Sequence, residues 1–246
     1  MIELNTIYNE DCLDGMKRIP DKSIDMILCD LPYGTTACRW DTVIPLEPLW
    51  ELYSRIVKDN GAIVLFCAQP FTATLVSSNL KNFRYCMIWD KVAPKNFLNA
   101  KRQPLRRYEE IAVFYRKQPT YNPLMEVRGK PRNKGGYQKE YQDGACCYNR
   151  VGKVANVNNE YYPTDILKFS NAVNKGKIHP TQKPVELFEC LIRAYTNEGD
   201  TVLDNCMGSG TTAIAAINTN REYIGFEMDC GYYKAAQERI FAHRQT

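Results

Sequence analysis

The stretch that most constrains this chain is TVLDNCMGSGTTAIAAINTNREYIGFEMD, residues 201–229. It reads as a strand over Thr201 to Leu203, a glycine turn, an alanine-rich helix from about Gly210 to Asn218, and a second strand over Tyr223 to Phe226. Two strands joined through a helix run parallel, and a parallel sheet must be covered on both faces. Only 19 residues follow Glu227, enough for one helix, so the remaining strands are expected from the N-terminal half. Apolar runs ended by turn signals supply them: Ile24 to Cys29, Ala62 to Cys67, Tyr85 to Trp89 and Ile111 to Tyr115. Helical patterns lie between, at Leu46 to Val57, at Pro184 to Tyr195 with proline at a first-turn position, and at Gly231 to Ala242. The expected class is α/β, a mostly parallel sheet with helices on both faces.

Residues 118–178 break this rhythm, being rich in Gly, Asn, Lys and Tyr with little apolar periodicity, and are expected to be irregular. Charge sets the same region apart. Residues 91–178 hold 18 Lys and Arg against 7 Asp and Glu, whereas the rest holds 14 against 21, so one region suits a polyanion. Tyr121, Tyr137, Tyr141, Tyr148, Tyr161, Tyr162 and Phe169 are interleaved with those cations, a combination that meets both phosphates and stackable bases. A mean hydropathy of −0.44, no long uncharged apolar run and an acidic N-terminal segment argue against a membrane span or a signal peptide. The ten cysteines are scattered without a CxxC pair beside only two histidines, which reads as reduced thiols in a cytoplasmic protein and no metal site, Cys146 and Cys147 included.

Within 201–229, Gly208 and Gly210 let the backbone turn tightly and approach a ligand, the start of the helix offers free amide groups, and Glu227 falls 17 residues after Gly210, where an acid at the end of the next strand can grip ribose hydroxyls. The local GxGxxA match also admits a nicotinamide dinucleotide. Asp204 tips the balance: at the entrance of the loop it would repel a pyrophosphate yet suit a ligand with ammonium and sulfonium charges, such as S-adenosylmethionine (AdoMet). A P-loop is excluded because no GK[ST] follows at the required spacing. Near the other end, SIDMILCDLPYGTT puts Asp30, Leu31, Pro32 and Tyr33 at the C-terminal end of a strong strand, the edge where ligand sites of open parallel sheets gather.

DLPY resembles the DPPY-type catalytic motif of amino-group (N6-adenine or N4-cytosine) DNA methyltransferases, and LDNCMGSGTT resembles their AdoMet loop, in the order of the β-class, catalytic motif first. NEDCLDGM, LYSRIVKDNGAIVLFC, RRYEEIAVFYRK and HPTQKPVEL match the same pattern, so the resemblance covers most of residues 5–240 apart from about 118–178. It implies a Rossmann-like AdoMet-dependent methyltransferase fold with permuted motif order and a basic insert: a catalytic half over 1–117, a target-recognition insert over 118–178 and an AdoMet-binding half over 179–246.

The resemblance also implies roles. Asp30 and the Leu31 carbonyl would accept the two hydrogens of an exocyclic amine, Tyr33 would stack on the extruded base, and Pro32 would hold the turn. Leu31 stands where the family has Pro, which keeps the carbonyl and loosens the turn. Glu227 is implied at the ribose, Asp11 and Cys12 at the adenine, Asp204, Gly208, Gly210 and Thr211 at the loop, Thr181, Gln182 and Lys183 at the methionine end, and Asp30 beside the cofactor as well as the amine. Asp11 reads equally well as a helix cap, His179 as a hinge without a proton-transfer role, and Lys183 as a phosphate contact. Lys95, Arg102, Arg106 and Arg107 are expected along the path of double-stranded DNA. The association of Asp with adenine favours N6 over cytosine N4, and the family permits a homodimer and a cognate restriction enzyme as partners. Two further readings remain, a DNA-binding module with a vestigial site and a nicotinamide oxidoreductase.

Overall fold

The computed structural model describes residues 2–34, 41–95, 97–141, 148–171 and 182–245, with the backbone alone at 95, 136–141 and 148–154. Thr181, His179, Cys38, Cys146 and Cys147 lie outside the described residues. In chain order the elements are β1 (Thr6–Tyr8), α1 (Cys12–Met16), β2 (Ile24–Asp30), α2 (Leu46–Ile56), β3 (Val57–Cys67), α3 (Phe71–Ser78), β4 (Phe83–Lys95), β5 (Arg106–Phe114), β6 (Glu126–Asn133), β7 (Gly136–Tyr141), β8 (Tyr148–Val154), β9 (Val157–Tyr161), β10 (Ile166–Lys168), α4 (Val185–Tyr195), β11 (Thr201–Asp204), α5 (Thr211–Asn218), β12 (Glu222–Phe226) and α6 (Cys230–Arg244).

Among the described residues, eight strands form one sheet in the order β1-β12-β11-β2-β3-β5-β4-β10. Every pairing is parallel except those of β5, which runs against both β3 and β4. The strand sequences explain why the sheet is covered on both sides. On β2, Met26 and Leu28 enter one apolar cluster with Phe188, Ile214 and Ala236 from α4, α5 and α6, while Ile27 and Cys29 enter a second with Met16, Leu49 and Leu75 from α1, α2 and α3. On β3, Val64 and Phe66 face the first layer and Ile63 and Leu65 the second. Alternate residues find apolar partners on opposite faces, so these strands read as continuous hydrophobic runs. Val57, expected in the second helix, takes an extended backbone and begins β3. Pro184, expected in the first turn of α4, stands just before it as the N-cap.

This topology fixes where a ligand can sit. From β2 the chain passes through α2 to β3 on one side; from β11 it passes through α5 to β12 on the other, although β2 and β11 are neighbours (Val202 opposite Met26, Leu203 opposite Ile27). Connections leaving in opposite directions open a crevice at the carboxyl ends of the two strands.

Residues Pro123–Thr164 form a separate compact unit. The region read as irregular contains two antiparallel ribbons there, β6 with β9 and β7 with β8. Every side chain of β6 is exposed, so no alternation of apolar and polar residues announces the strand. Among the described residues, no helix is long and apolar enough to cross a membrane.

Candidate active site

A cavity of about 1010 Å³ occupies the crevice at the ends of β2, β11, β12, β4 and β5. Asp30, Leu31, Pro32 and Tyr33 line it from the end of β2, and Asp204, Gly208, Thr211 and Glu227 from the segment that runs from β11 to just past β12. Asp11, Cys12, Gln182 and Lys183, also expected at the cofactor, reach it too. Segments far apart in the chain therefore meet at one place.

The glycine loop is held by the acids that flank it. Asp204 is buried at the end of β11, where its carboxylate accepts hydrogen bonds from the Cys206 backbone N–H (3.0 Å) and from the Thr212 hydroxyl. Burial pushes its carboxyl up to about 6, against the pull of those two hydrogen bonds. Glu227 accepts from the N–H of Gly208 at 2.7 Å and of Asp229 at 2.8 Å, so the distal acid and the loop are one unit. Burial raises its carboxyl above the usual range. Gly210 has φ +77°, and a Cβ there would stand 3.2 Å from Ile240 and 3.3 Å from Ala236 of α6. It faces the packing of α5 on α6 and, unlike Gly208, does not line the cavity. Asp11 caps α1 through Leu13 N–H at 2.7 Å while lining the cavity, so the cap reading and the rim position coexist. Cys12 is a buried thiol, held protonated by its contact with Cys206 and by burial. Seven of the cysteines, Cys12 and Cys206 among them, are free thiols.

At the end of β2, both oxygens of Asp30 are engaged. Oδ1 accepts from the Tyr33 hydroxyl at 2.7 Å and Oδ2 from Lys183 Nζ at 2.5 Å. Tyr33 stacks on Phe71, with ring centres 5.4 Å apart, and burial keeps its hydroxyl protonated. Lys183 is 8% exposed and lies over the rings of Phe66 and Trp89. Its ammonium also stands 3.3 Å from Oε2 of Glu109, whose other oxygen is paired with Lys91. Burial alone would discharge Lys183; Asp30 and Glu109 outweigh it and hold the ammonium above its usual range. Burial likewise opposes the charge of Glu109, and Lys183 and Lys91 hold that carboxyl below its usual range.

Glu109, Lys91 and Trp89 line the cavity yet were not singled out by the sequence. Adjacent Glu109 and Glu110 look alike in RRYEEIAVF, and only pairing along β5 turns the first toward Lys91 and Lys183 while the second meets Gln69. Of the expected DNA-path residues, Arg106 reaches the cavity, Arg102 is exposed, and Arg107 is held by Asp90 in a two-pronged pair at 2.7 and 2.9 Å. The Lys95 side chain lies outside the described residues. Between them Phe97 and Leu98 are 76% and 85% exposed.

An open sheet with an acid-flanked glycine loop and a carboxylate–tyrosine pair facing one crevice defines the Rossmann-like methyltransferase class. The model of the DNA methylase family N6_N4_Mtase matches residues 24–238, and the chain belongs to that family. It is 26% identical to the type II methyltransferase M1.MboII of Moraxella bovis over 96% of each chain. It is 28% identical to the DNA adenine methyltransferase YhdJ of Escherichia coli (strain K12), over 97% of this chain and 83% of that one. The solved M1.HpyAVI–SAM complex superposes with a TM-score of 0.64 and 27% identity, covering 95% of this chain and 98% of that one. The cytosine-N4-specific PvuII DNA methyltransferase superposes at 0.67 with 16% identity, covering 100% and 93%, a likeness of fold alone.

Proposed function

We propose that this DNA methylase transfers the methyl group of AdoMet to N6 of an adenine extruded from double-stranded DNA. The observation that carries this reading is the crevice itself, in which the Asp30–Tyr33 pair and the Gly208 loop with Glu227 line one cavity. The residues present fit the cofactor. Asp30, Asp204 and Glu227 surround the cavity with carboxylates, a donor set that suits an ammonium and a sulfonium and opposes a pyrophosphate. Gly208, at φ +52° with no atom closer than 3.9 Å to an added Cβ, leaves backbone open to a ligand. Glu227 would take the ribose hydroxyls, Asp11 and Cys12 the adenine, and the loop with Thr181, Gln182 and Lys183 the methionine end. Bound there, the cofactor supplies an electrophilic methyl group.

An exocyclic amine is a weak nucleophile because its lone pair is delocalised into the base. Asp30 accepts one amine hydrogen and the Leu31 carbonyl the other, which localises the lone pair on nitrogen for in-line attack. The nitrogen so held would be presented to the methyl donor bound at the loop, and Asp30 would take up the proton that the nitrogen sheds. Tyr33, one ring face against Phe71, offers the base a rigid platform. Residues 1–117 and 179–246 act as the catalytic and cofactor halves, and 118–178 as the target-recognition insert. A homodimer and a cognate restriction enzyme are compatible with this role. Cytosine presents the same amino group at N4, so the product decides between the two. Incubation with unmethylated genomic DNA and methyl-labelled AdoMet, followed by nucleoside mass spectrometry, is expected to yield labelled N6-methyladenine; labelled N4-methylcytosine would change the target and keep the mechanism.

Two smaller effects follow. Glu227→Ala is expected to weaken AdoMet binding at least about tenfold in calorimetry, since it removes the carboxylate that also anchors Gly208; unchanged affinity would end its ribose role. Lys130 and Arg132 are exposed on β6, and replacing both by Ala is expected to flatten the slope of log K against log salt by about one to two. An unaltered slope places the phosphate contacts elsewhere.

A further inference from the structure

Four groups of alternating sign stand in a row at the end of the sheet: Asp30, Lys183, Glu109 and Lys91. They come from β2, the segment before α4, β5 and β4, so the fold rather than local sequence assembles the row. Its middle link is uneven. Lys183 donates to Asp30 at 2.5 Å and stands farther, at 3.3 Å, from Glu109 Oε2, a looser ion pair in which that buried oxygen lacks a well-aligned hydrogen bond among the described residues. End to end the two contacts place the Asp30 and Glu109 oxygens within about 6 Å of each other, close enough for strong repulsion without the cation between them.

We propose that Lys183 is a positioning residue shared between two carboxylates, and that Glu109 is its second seat: as the target amine arrives, the ammonium shifts from Asp30 Oδ2 toward Glu109 Oε2 and leaves Asp30 as the acceptor. This rests on the reading of Asp30 as the group that receives the amine hydrogen. A cation fixed on Asp30 alone would compete with the amine for the same oxygen. A cation with an acceptor waiting on its other side needs no water to replace the contact it gives up, in a slot closed by Phe66 and Trp89. Lys91, above Trp89 and paired with Glu109, keeps that second carboxylate ionised. The other titratable groups facing Asp30 are Tyr33, Cys29 and Asp204. They are common to every variant below, so differences between variants report the row.

The test is the pH dependence of kcat for the full chain and its Lys183→Gln, Glu109→Gln and double variants, with AdoMet affinity measured by calorimetry. In Lys183→Gln two carboxylates face each other across a neutral amide, and the acid limb of kcat is expected to move up by about one pH unit or more, with kcat at pH 7 down at least about tenfold. In Glu109→Gln the ammonium has only Asp30 to hold, so kcat is expected to fall several-fold while the acid limb moves down. The double variant loses the repulsion, and its limb is expected to return toward the wild-type position with kcat above that of Lys183→Gln. AdoMet affinity is expected to stay within about threefold in Glu109→Gln. Additive losses in the double variant, or limbs that do not move in opposite directions, overturn the proposal. So does a Lys183→Gln variant whose only defect is a tenfold loss of AdoMet affinity, which would leave Lys183 with the cofactor. Should Lys183→Gln not fold, the downward limb of Glu109→Gln and the activity of the double variant decide the matter. Failure of the underlying reading is separately visible, as an Asp30→Ala enzyme that still methylates.

Discussion

Asp30→Ala is expected to lower methyl transfer at least about a thousandfold, about 4 kcal/mol of transition-state stabilisation, while AdoMet affinity stays within a few-fold. The reason is positional. Asp30 ends β2 at the switch point, and its carboxylate is oriented from two sides, by the Tyr33 hydroxyl and the Lys183 ammonium. An alanine removes the acceptor and leaves both donors behind. Lys183 retains Glu109, so the variant does not bury an unpaired cation, and the fold is expected to survive. Asp30→Asn separates charge from shape: it keeps an acceptor oxygen of similar size but no negative charge, and is expected to fall between alanine and wild type. Single-turnover kinetics measures the chemical step directly, and calorimetry the affinity. Retained turnover in Asp30→Ala would remove the carboxylate from the mechanism.

The sequence discloses such a site unevenly, and the reasons are physical. β2, β3 and β11 stand out because both of their faces are buried, which turns each into an apolar run ending in a chemically distinct residue; Asp30 and Asp204 are visible for that reason. Three-residue strands are different. β1 and β10 pair at the two edges of the sheet through backbone groups, and a run such as TIY or ILK carries too little pattern to identify. The ribbons of Pro123–Thr164 show little apolar patterning, as the fully exposed side chains of β6 illustrate, so the periodicity that reveals a strand is missing. The charge row is the least legible part. Lys183 and Asp30 are 153 positions apart, and no spacing rule links them. Glu109 differs from Glu110 only in which way β5 turns its side chain.

Asp204→Asn is expected to stabilise the protein at neutral pH by about 2–3 kcal/mol and to weaken AdoMet binding. Burial lifts the folded-state carboxyl from 3.8 to about 6. Below about pH 4 the acid is protonated in both folded and unfolded chains, and its protonated form fits the site without penalty. As pH rises from there through about 6, the unfolded chain ionises freely while the folded chain must hold a buried charge, so stability is lost across that window and stays lost above it. Asparagine keeps both hydrogen bonds, accepting from Cys206 N–H and donating to the Thr212 hydroxyl, without the charge. The difference in Tm between variant and wild type is therefore expected to open between about pH 4 and 6 and to be flat at higher pH. A difference independent of pH would remove the buried charge as its cause. A carboxylate that costs stability where an amide would not is understandable if its charge meets a cation during function. The same charge gives a second readout: near pH 6 a cationic ligand draws the carboxyl toward its ionised form, so AdoMet binding is expected to release protons. Glu227, also raised, contributes to that release in both proteins, and the difference between wild type and Asp204→Asn isolates the share of Asp204. Calorimetry in buffers of different ionisation enthalpy measures it, and equal release by the two proteins would mean that the charge of Asp204 does not meet the cofactor.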